Sequence, residues 1–593
     1  MLSIIVKKLL KNNYVLNYDI NKISMNKFFK YIVFLFLSLP TIYLSIIANF
    51  DLLDSFALFM DERISFEGIN RILNPKNFND FFWAITDGGD HRYGRMFWNS
   101  AALFSSIPEY FFGQQGQIIS TRMFQVLLIL SSYCILSHVF IKSLLMRYIL
   151  FFFLMNIPFT HYYMTMPKPE PLQLFFISIF LYYYKINNAK INSFYWIFIG
   201  AAFGLKISIL PLIFVFLLPE SLNLINEKKY QLLIEKYFSG FFYFIIGLSI
   251  SVPILFPQII ISLFIYFLIN RITKNVFQNI LTVLFLLFSN LSLSLYLFFK
   301  HNIISGLAMW GGSTFLNTLH GADNLENTFF DWTNFLINEF SNVPNQLSLF
   351  LILFSSVIIL RYSLSVNFLQ DSSFKKKIPV ILILGGVISS IIIFFAVNRL
   401  WGFYLFINSI LIITGILSIV DKNFDQKIDL KINQSYMLSI FLSLFYLIPE
   451  NYNEFNKLSQ RTQSSTYLSK YTSYNEILYF LDDYSSRKNV PLKIMYDPSL
   501  FTLPKNEKYE VELFWGYLTN WDIESDIIIL SKNHTPRRDY IPSQDNINYS
   551  KYKIEDKNYK LVVRDNAELC DIGQICFIRM MILSDQSEIL IKN

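Results

Sequence analysis

Charge is scarce in this sequence. Asp, Glu, Lys and Arg make up 16% of its 593 residues, against 53% hydrophobic and 18% aromatic. Soluble domains carry roughly a quarter charged residues, so a water-soluble fold is excluded for the bulk of the chain. Cysteine is rarer still, with three in all. Cys134 falls in an apolar run; Cys570 and Cys576 bracket a short polar turn and either close as a disulfide outside the cytoplasm or stay as two thiols. The six histidines make no H-x-x-x-H or H-x-H spacing. His91 beside Asp87 and Asp90, or His320 beside Asp323, is too sparse a set to define a metal site, and no obligatory metal or other cofactor is expected. The C-terminal part has no Gly-rich phosphate loop, nucleophile elbow or zinc spacing. No solenoid repeat stands out. The first apolar run starts near residue 31 without an A-x-A-like cleavage site, so it is expected to remain as a signal anchor.

What is present is a succession of apolar runs of about 17 to 25 residues, long enough to cross a hydrocarbon core of roughly 30 Å. They begin at Tyr31 and recur to Leu447. A strand-built barrel would show shorter segments that alternate polar and apolar residues. The reading is therefore a polytopic α-helical membrane protein. Its net charge of +7 does not signal nucleic acid, because the Lys and Arg residues are scattered through short turns instead of gathered in one basic domain.

Those scattered cations set a topology. Lys7, Lys8, Lys11, Lys22, Lys27 and Lys30 stand against Asp19 alone in the first thirty residues, which places the N-terminus in the cytoplasm. The loop at 49–119 is then outside, and it is acidic. Turns holding Lys142 and Arg147, Lys185 and Lys190, Lys228 and Lys229, Arg271 and Lys274, 375–377 and 422–431 fall inside; turns at 167–171, Lys206, 253–257 and 398–402 fall outside. The pattern needs about thirteen spans. The expected organisation is a cytoplasmic segment at 1–30, a membrane domain at 31–449 with long outer loops at 49–119 and 300–346, and an extracytoplasmic α/β domain at 450–593. In that last part, β-type runs at Leu492–Tyr496, 526–530, 560–563 and 575–583 accompany a helix-like 475–484. The aromatic-rich 300–346 loop either covers a substrate entrance or forms an interfacial helix. Asn533-His-Thr and Asn548-Tyr-Ser match the glycosylation sequon, which arises by chance in an Asn-rich chain.

The first outer loop holds adjacent carboxylates, Asp61-Glu62, about a dozen residues past the first span. A carboxylate at a membrane surface is placed to act as a general base on an acceptor hydroxyl or amine; the competing reading is a solvated loop pair. Context adds to the first. Phe111-Phe112-Gly113 followed by Thr121-Arg122, the turn Met166-Pro167-Lys168-Pro169-Glu170-Pro171, Gly204-Leu205-Lys206, and Asn398-Arg399-Leu400-Trp401-Gly402-Phe403-Tyr404 follow in an order that resembles the GT-C superfamily of membrane glycosyltransferases. The likeness is to the protein O-mannosyltransferase and lipid A aminoarabinose transferase branch, over residues 31–420. The His-Pro-Pro-Leu-like element common in that branch is absent; Asp87-Gly-Gly-Asp90-His91-Arg92-Tyr93-Gly94-Arg95 stands near its place.

The resemblance implies transfer of a sugar from a polyprenyl-phosphate donor to a glycan, lipid or protein acceptor on the non-cytoplasmic face. Asp61 is then the leading base and Glu62 its rival. Lys168, Lys206 and Arg399 are the candidate cations for the donor phosphate, with snorkelling to lipid headgroups as the competing reading. Arg92, Arg95, Glu170 and Tyr404 are candidate substrate contacts, although Arg92 and Arg95 pairing with Asp87 and Asp90 to order the loop is the plainer alternative. Many relatives use a divalent metal. AT-biased composition and the lack of organelle signals point to a bacterial inner membrane. Competing readings are an O-antigen polymerase or ligase, and a secondary transporter or lipid flippase; the absence of clear duplication between the halves argues against transport.

Overall fold

A computed structural model of the chain describes residues 32–39, 60–86, 94–155, 160, 163–164, 167–187, 192–253, 374–396, 405–425, 481–482, 485–486, 491–496, 508–513, 527–531, 559–563 and 578–583. The expected cytoplasmic segment, the 300–346 loop, the spans expected within 254–373 and 426–448, the pair Cys570 and Cys576, and both candidate metal positions lie outside these residues.

The described part is predominantly helical: α1 (Met60–Leu73), α2 (Phe78–Thr86), α3 (Met96–Phe140), α4 (Leu144–Met155), α5 (Glu170–Ile186), α6 (Trp196–Leu205), α7 (Leu210–Asn226), α8 (Tyr230–Ser251), α9 (Phe374–Ala396) and α10 (Phe406–Asp425). Within them, Gln115–Phe140, Ile207–Asn226 and Tyr230–Ser251 are long and apolar enough to cross a membrane, and four shorter apolar helices accompany them. Their outward faces are apolar too, with Leu127, Phe214, Leu218 and Ile250 exposed. In water such a surface would be an aggregation hazard; in lipid it is the solvated face.

The long helix α3 is two helices joined at a kink. Pro108 lies inside the first half, and Gly113 takes φ 61°, ψ −146°, a backbone conformation that is easy only for glycine. The kink falls just before the apolar span that begins at Gln115. Close backbone approach joins α6 to α8: a Cβ at Gly200 would run into the Phe244 carbonyl, and one at Gly247 into the Ile197 carbonyl. Small residues are what permit helices to approach so closely in a membrane, where packing replaces the hydrophobic drive. The core then fills with aromatic and branched side chains, including Tyr133, Tyr163, Phe216 and Ile410, all fully buried.

Contacts sort the helix ends into two groups. At one end Asp421 accepts from the Lys142 and Ser143 amides at 2.6 and 3.2 Å, Ser418 donates to the Phe140 carbonyl at 3.1 Å, and Lys185 donates to the Val139 carbonyl. Phe34, in the helical residues 32–39, packs 4.9 Å from Tyr148 and 5.8 Å from His138. At the opposite end Ser65 meets Pro167, Glu170 meets Lys206, and Gly94 packs tightly on the carbonyls of Gly204 and Ser251. Among the described residues, the turns at Lys142 and Lys185 thus lie at one end of the bundle and those at 167–171 and Lys206 at the other.

Further along, β1 (Leu492–Tyr496), β2 (Tyr509–Leu513), β3 (Ile527–Ser531), β4 (Tyr559–Val563) and β5 (Ile578–Leu583) form one mixed sheet in the order β2-β1-β3-β5-β4. β1 is parallel to β2 and β3, whereas β5 is antiparallel to β3 and β4. Leu492 and Ile494 are buried and Lys493 between them is exposed, the period-two alternation of a strand with one covered face. Of the helix-like 475–484, residues 481–482 are described and are helical.

Candidate functional site

The polar end of the bundle is organised around the turn before α5. Pro169 and Pro171 flank Glu170; a fixed proline φ suits the first helical turn, and an acidic residue there complements the helix dipole. Glu170 is nonetheless buried, only 4% exposed, and a buried carboxylate requires a partner. Lys206 provides it. At the C-cap of α6, with extended backbone, Lys206 puts its Nζ 2.5 Å from Glu170 Oε1. Lys168 adds a second positive charge nearby, and its carbonyl accepts from Gln125 Nε2 at 3.2 Å.

One turn along α5 from Glu170, the Gln173 amide donates to the carbonyls of Ala202 and Lys206 at 2.8 and 2.7 Å. The Ala202 carbonyl also accepts the Lys206 amide at 3.3 Å, so a side chain of α5 adds to the bonds that close the end of α6. Glu170, Gln173, Lys206 and Asn408 line a cavity of about 10 Å³ beside Tyr163 and Phe406, whose rings stand 4.5 Å apart. Three buried polar atoms here have no hydrogen-bond partner: Glu170 Oε2, Gln173 Oε1 and Asn408 Nδ2.

The first-loop helix is tied to this turn. Ser65 Oγ donates to the Pro167 carbonyl at 2.6 Å, and Gln117 Nε2 donates to the Phe66 carbonyl at 3.3 Å. Phe66 and Ile69 share a core cluster with Trp98, Leu172 and Leu205. Asp61 and Glu62 lie in the first turn of α1, one helical turn before Ser65. Their side chains are outside the described residues, as are Arg92, Arg399 and Tyr404 altogether.

Arg95 is described, and it is buried. Its Nε and one terminal nitrogen donate to the Ala84 carbonyl at 3.0 and 2.7 Å, and its guanidinium lies 5.2 Å over the Trp98 ring. That geometry anchors the C-terminus of α2. Sequence reasoning missed Gln173, Asn408 and Ser65, which match no motif. The one available signal was the three-residue spacing of Glu170 and Gln173, which puts both on one helix face. Among the described residues no three His, Cys, Asp or Glu side chains gather as metal ligands, and Glu170 is already neutralised by Lys206. No protein-family model matches the chain, and no curated protein matches it.

Proposed function

We propose that this protein is a membrane glycosyltransferase of the GT-C type, moving a sugar from a polyprenyl-phosphate donor to a glycan, lipid or protein acceptor. The observation that carries the reading is the joining of α1 to the outer turn through Ser65 and Pro167, beside the buried Glu170–Lys206 pair. It brings the chain segment bearing Asp61 and Glu62 to the turn bearing Lys168, although about a hundred residues separate them. The order of short motifs in the sequence supports the same reading.

In the proposed reaction Asp61, or Glu62 beside it, takes the proton of the acceptor hydroxyl as its oxygen bonds to the anomeric carbon. The bond from that carbon to the phosphate oxygen breaks, and polyprenyl phosphate leaves with the electron pair. Lys168 and Arg399 meet the leaving charge. Lys206 acts differently: committed to Glu170, it fixes the turn in place of contacting phosphate. Many members of the superfamily use a divalent metal; among the described residues no three His, Cys, Asp or Glu side chains gather to hold one. The enzyme works at the outer face of a bacterial inner membrane, with about thirteen spans and residues 450–593 as an extracytoplasmic domain.

The test is reconstitution with short-chain polyprenyl-phosphate sugars while following release of polyprenyl phosphate, for wild type, Asp61→Asn and Glu62→Gln. One carboxylate variant should lose 100-fold or more in turnover, about the contribution of a general base, with its unfolding midpoint unchanged. If a broad donor panel is untouched by wild type, or both variants turn over normally, the reading fails.

A further inference from the structure

The cavity between α5, α6 and α10 holds polar atoms that the proposed reaction does not use. Gln173 and Asn408 are 0% and 2% exposed, and each presents an unpartnered atom, as does Glu170. Leaving such atoms unpaired is costly, and each one in a native core calls for a partner that the protein itself does not supply, a water, an ion or a ligand group. The set is specific. Two of the atoms, Glu170 Oε2 and Gln173 Oε1, accept hydrogen bonds; the third, Asn408 Nδ2, donates one. An anion would face a carboxylate oxygen and an amide oxygen, and the lysine beside them is already paired with Glu170. A hydroxyl fits, since it donates and accepts at one atom. The volume of about 10 Å³ admits one group of water size, such as a single hydroxyl.

We infer that Glu170, Gln173 and Asn408 form a recognition subsite for a single hydroxyl of a sugar, excluding phosphate. The assignment deepens the glycosyltransferase reading and rests on it for the identity of the ligand as the donor's sugar. It also separates recognition from chemistry: the sugar hydroxyl is read at the α5–α10 cavity, while the phosphate is met at the turn carrying Lys168. Because α5 and α10 are far apart in sequence, the bound hydroxyl joins two parts of the bundle.

The experiment uses full-length protein in lipid nanodiscs. Binding of methyl glucoside, methyl mannoside and methyl galactoside is measured by calorimetry, with sodium phosphate as competitor, for wild type, Gln173→Leu, Asn408→Leu and Asn408→Asp. Wild type should bind at least one glycoside, phosphate should not displace it, and each variant should bind at least tenfold more weakly. Asn408→Leu also removes an unpaired buried donor, so its unfolding midpoint should stay level or rise as binding falls. Asn408→Asp keeps the side-chain shape and covers the case in which leucine disturbs folding. No glycoside binding, displacement by phosphate, or variants that bind like wild type would each overturn the subsite. Turnover of polyprenyl-phosphate sugars is run in parallel. Glycoside binding that is lost in the variants, without turnover in wild type, upholds the subsite and removes the glycosyltransferase reading; turnover with unchanged KM in all three variants removes the subsite alone.

Discussion

Lys206 and Glu170, 36 residues apart in sequence, meet at 2.5 Å between the end of α6 and the start of α5. Both side chains are largely buried, at 13% and 6% exposure. Transfer of either charge from water is expensive, and the pair is tolerated because each neutralises the other.

Removing one partner should therefore be worse than removing both. Lys206→Met strands the Glu170 carboxylate and is expected to cost about 3 kcal/mol or more, read as a lowered midpoint of reversible unfolding in detergent. The double variant Glu170→Gln with Lys206→Met should recover more than half of that loss. If the double variant is as unstable as the sum of its singles, the two residues are not energetically coupled.

The opposite end of the bundle offers a second measurement. Asp421 is 1% exposed and accepts from the amides of Lys142 and Ser143, just ahead of α4. A carboxylate at that position satisfies open amides and complements the helix dipole. Asp421→Ala should cost about 1–2 kcal/mol, and hydrogen exchange should accelerate in the first turn of α4 before it does elsewhere. Uniform acceleration across the bundle would mean that Asp421 is not a local cap.

Much of this architecture is visible in residue order. Apolar run length marks the three described helices long enough to cross a membrane, and Lys142 and Lys185 fall at one end of the described bundle with Lys206 at the other, as the cost of desolvating a cation at mid-span requires. β1 matches its expected span, and β3 is displaced by one residue. β2, YEVEL, went unrecognised since its alternating glutamates mimic a solvated segment; pairing with β1 makes it a strand, and such pairing is non-local. The acidic stretch at 49–119 read as a loop, yet it contains α1, α2 and the first half of α3, whose periodicity is partly hidden by aromatic residues on both faces. In the site, the charged residues drew notice and the amides did not. Gln173 and Asn408 gain meaning only when three helices converge, which no single segment encodes.

Arg95 separates structure from substrate contact most directly. Its two hydrogen bonds to the Ala84 carbonyl and its position over Trp98 use the planar fork of a guanidinium, which lysine lacks. Arg95→Lys should loosen α2, raising protease cleavage between α2 and α3 several-fold, while Arg95→Gln should do the same or more. Hydrogen bonds to charged groups are worth about 1.5–3 kcal/mol, enough to shift local opening without unfolding the spans. If Arg95 instead held substrate, the lysine variant would keep the charge, leave cleavage unchanged and alter KM for a polyprenyl-phosphate sugar. Faster cleavage with unchanged KM identifies a residue that orders the loop, because the group it holds is a backbone carbonyl of the protein itself.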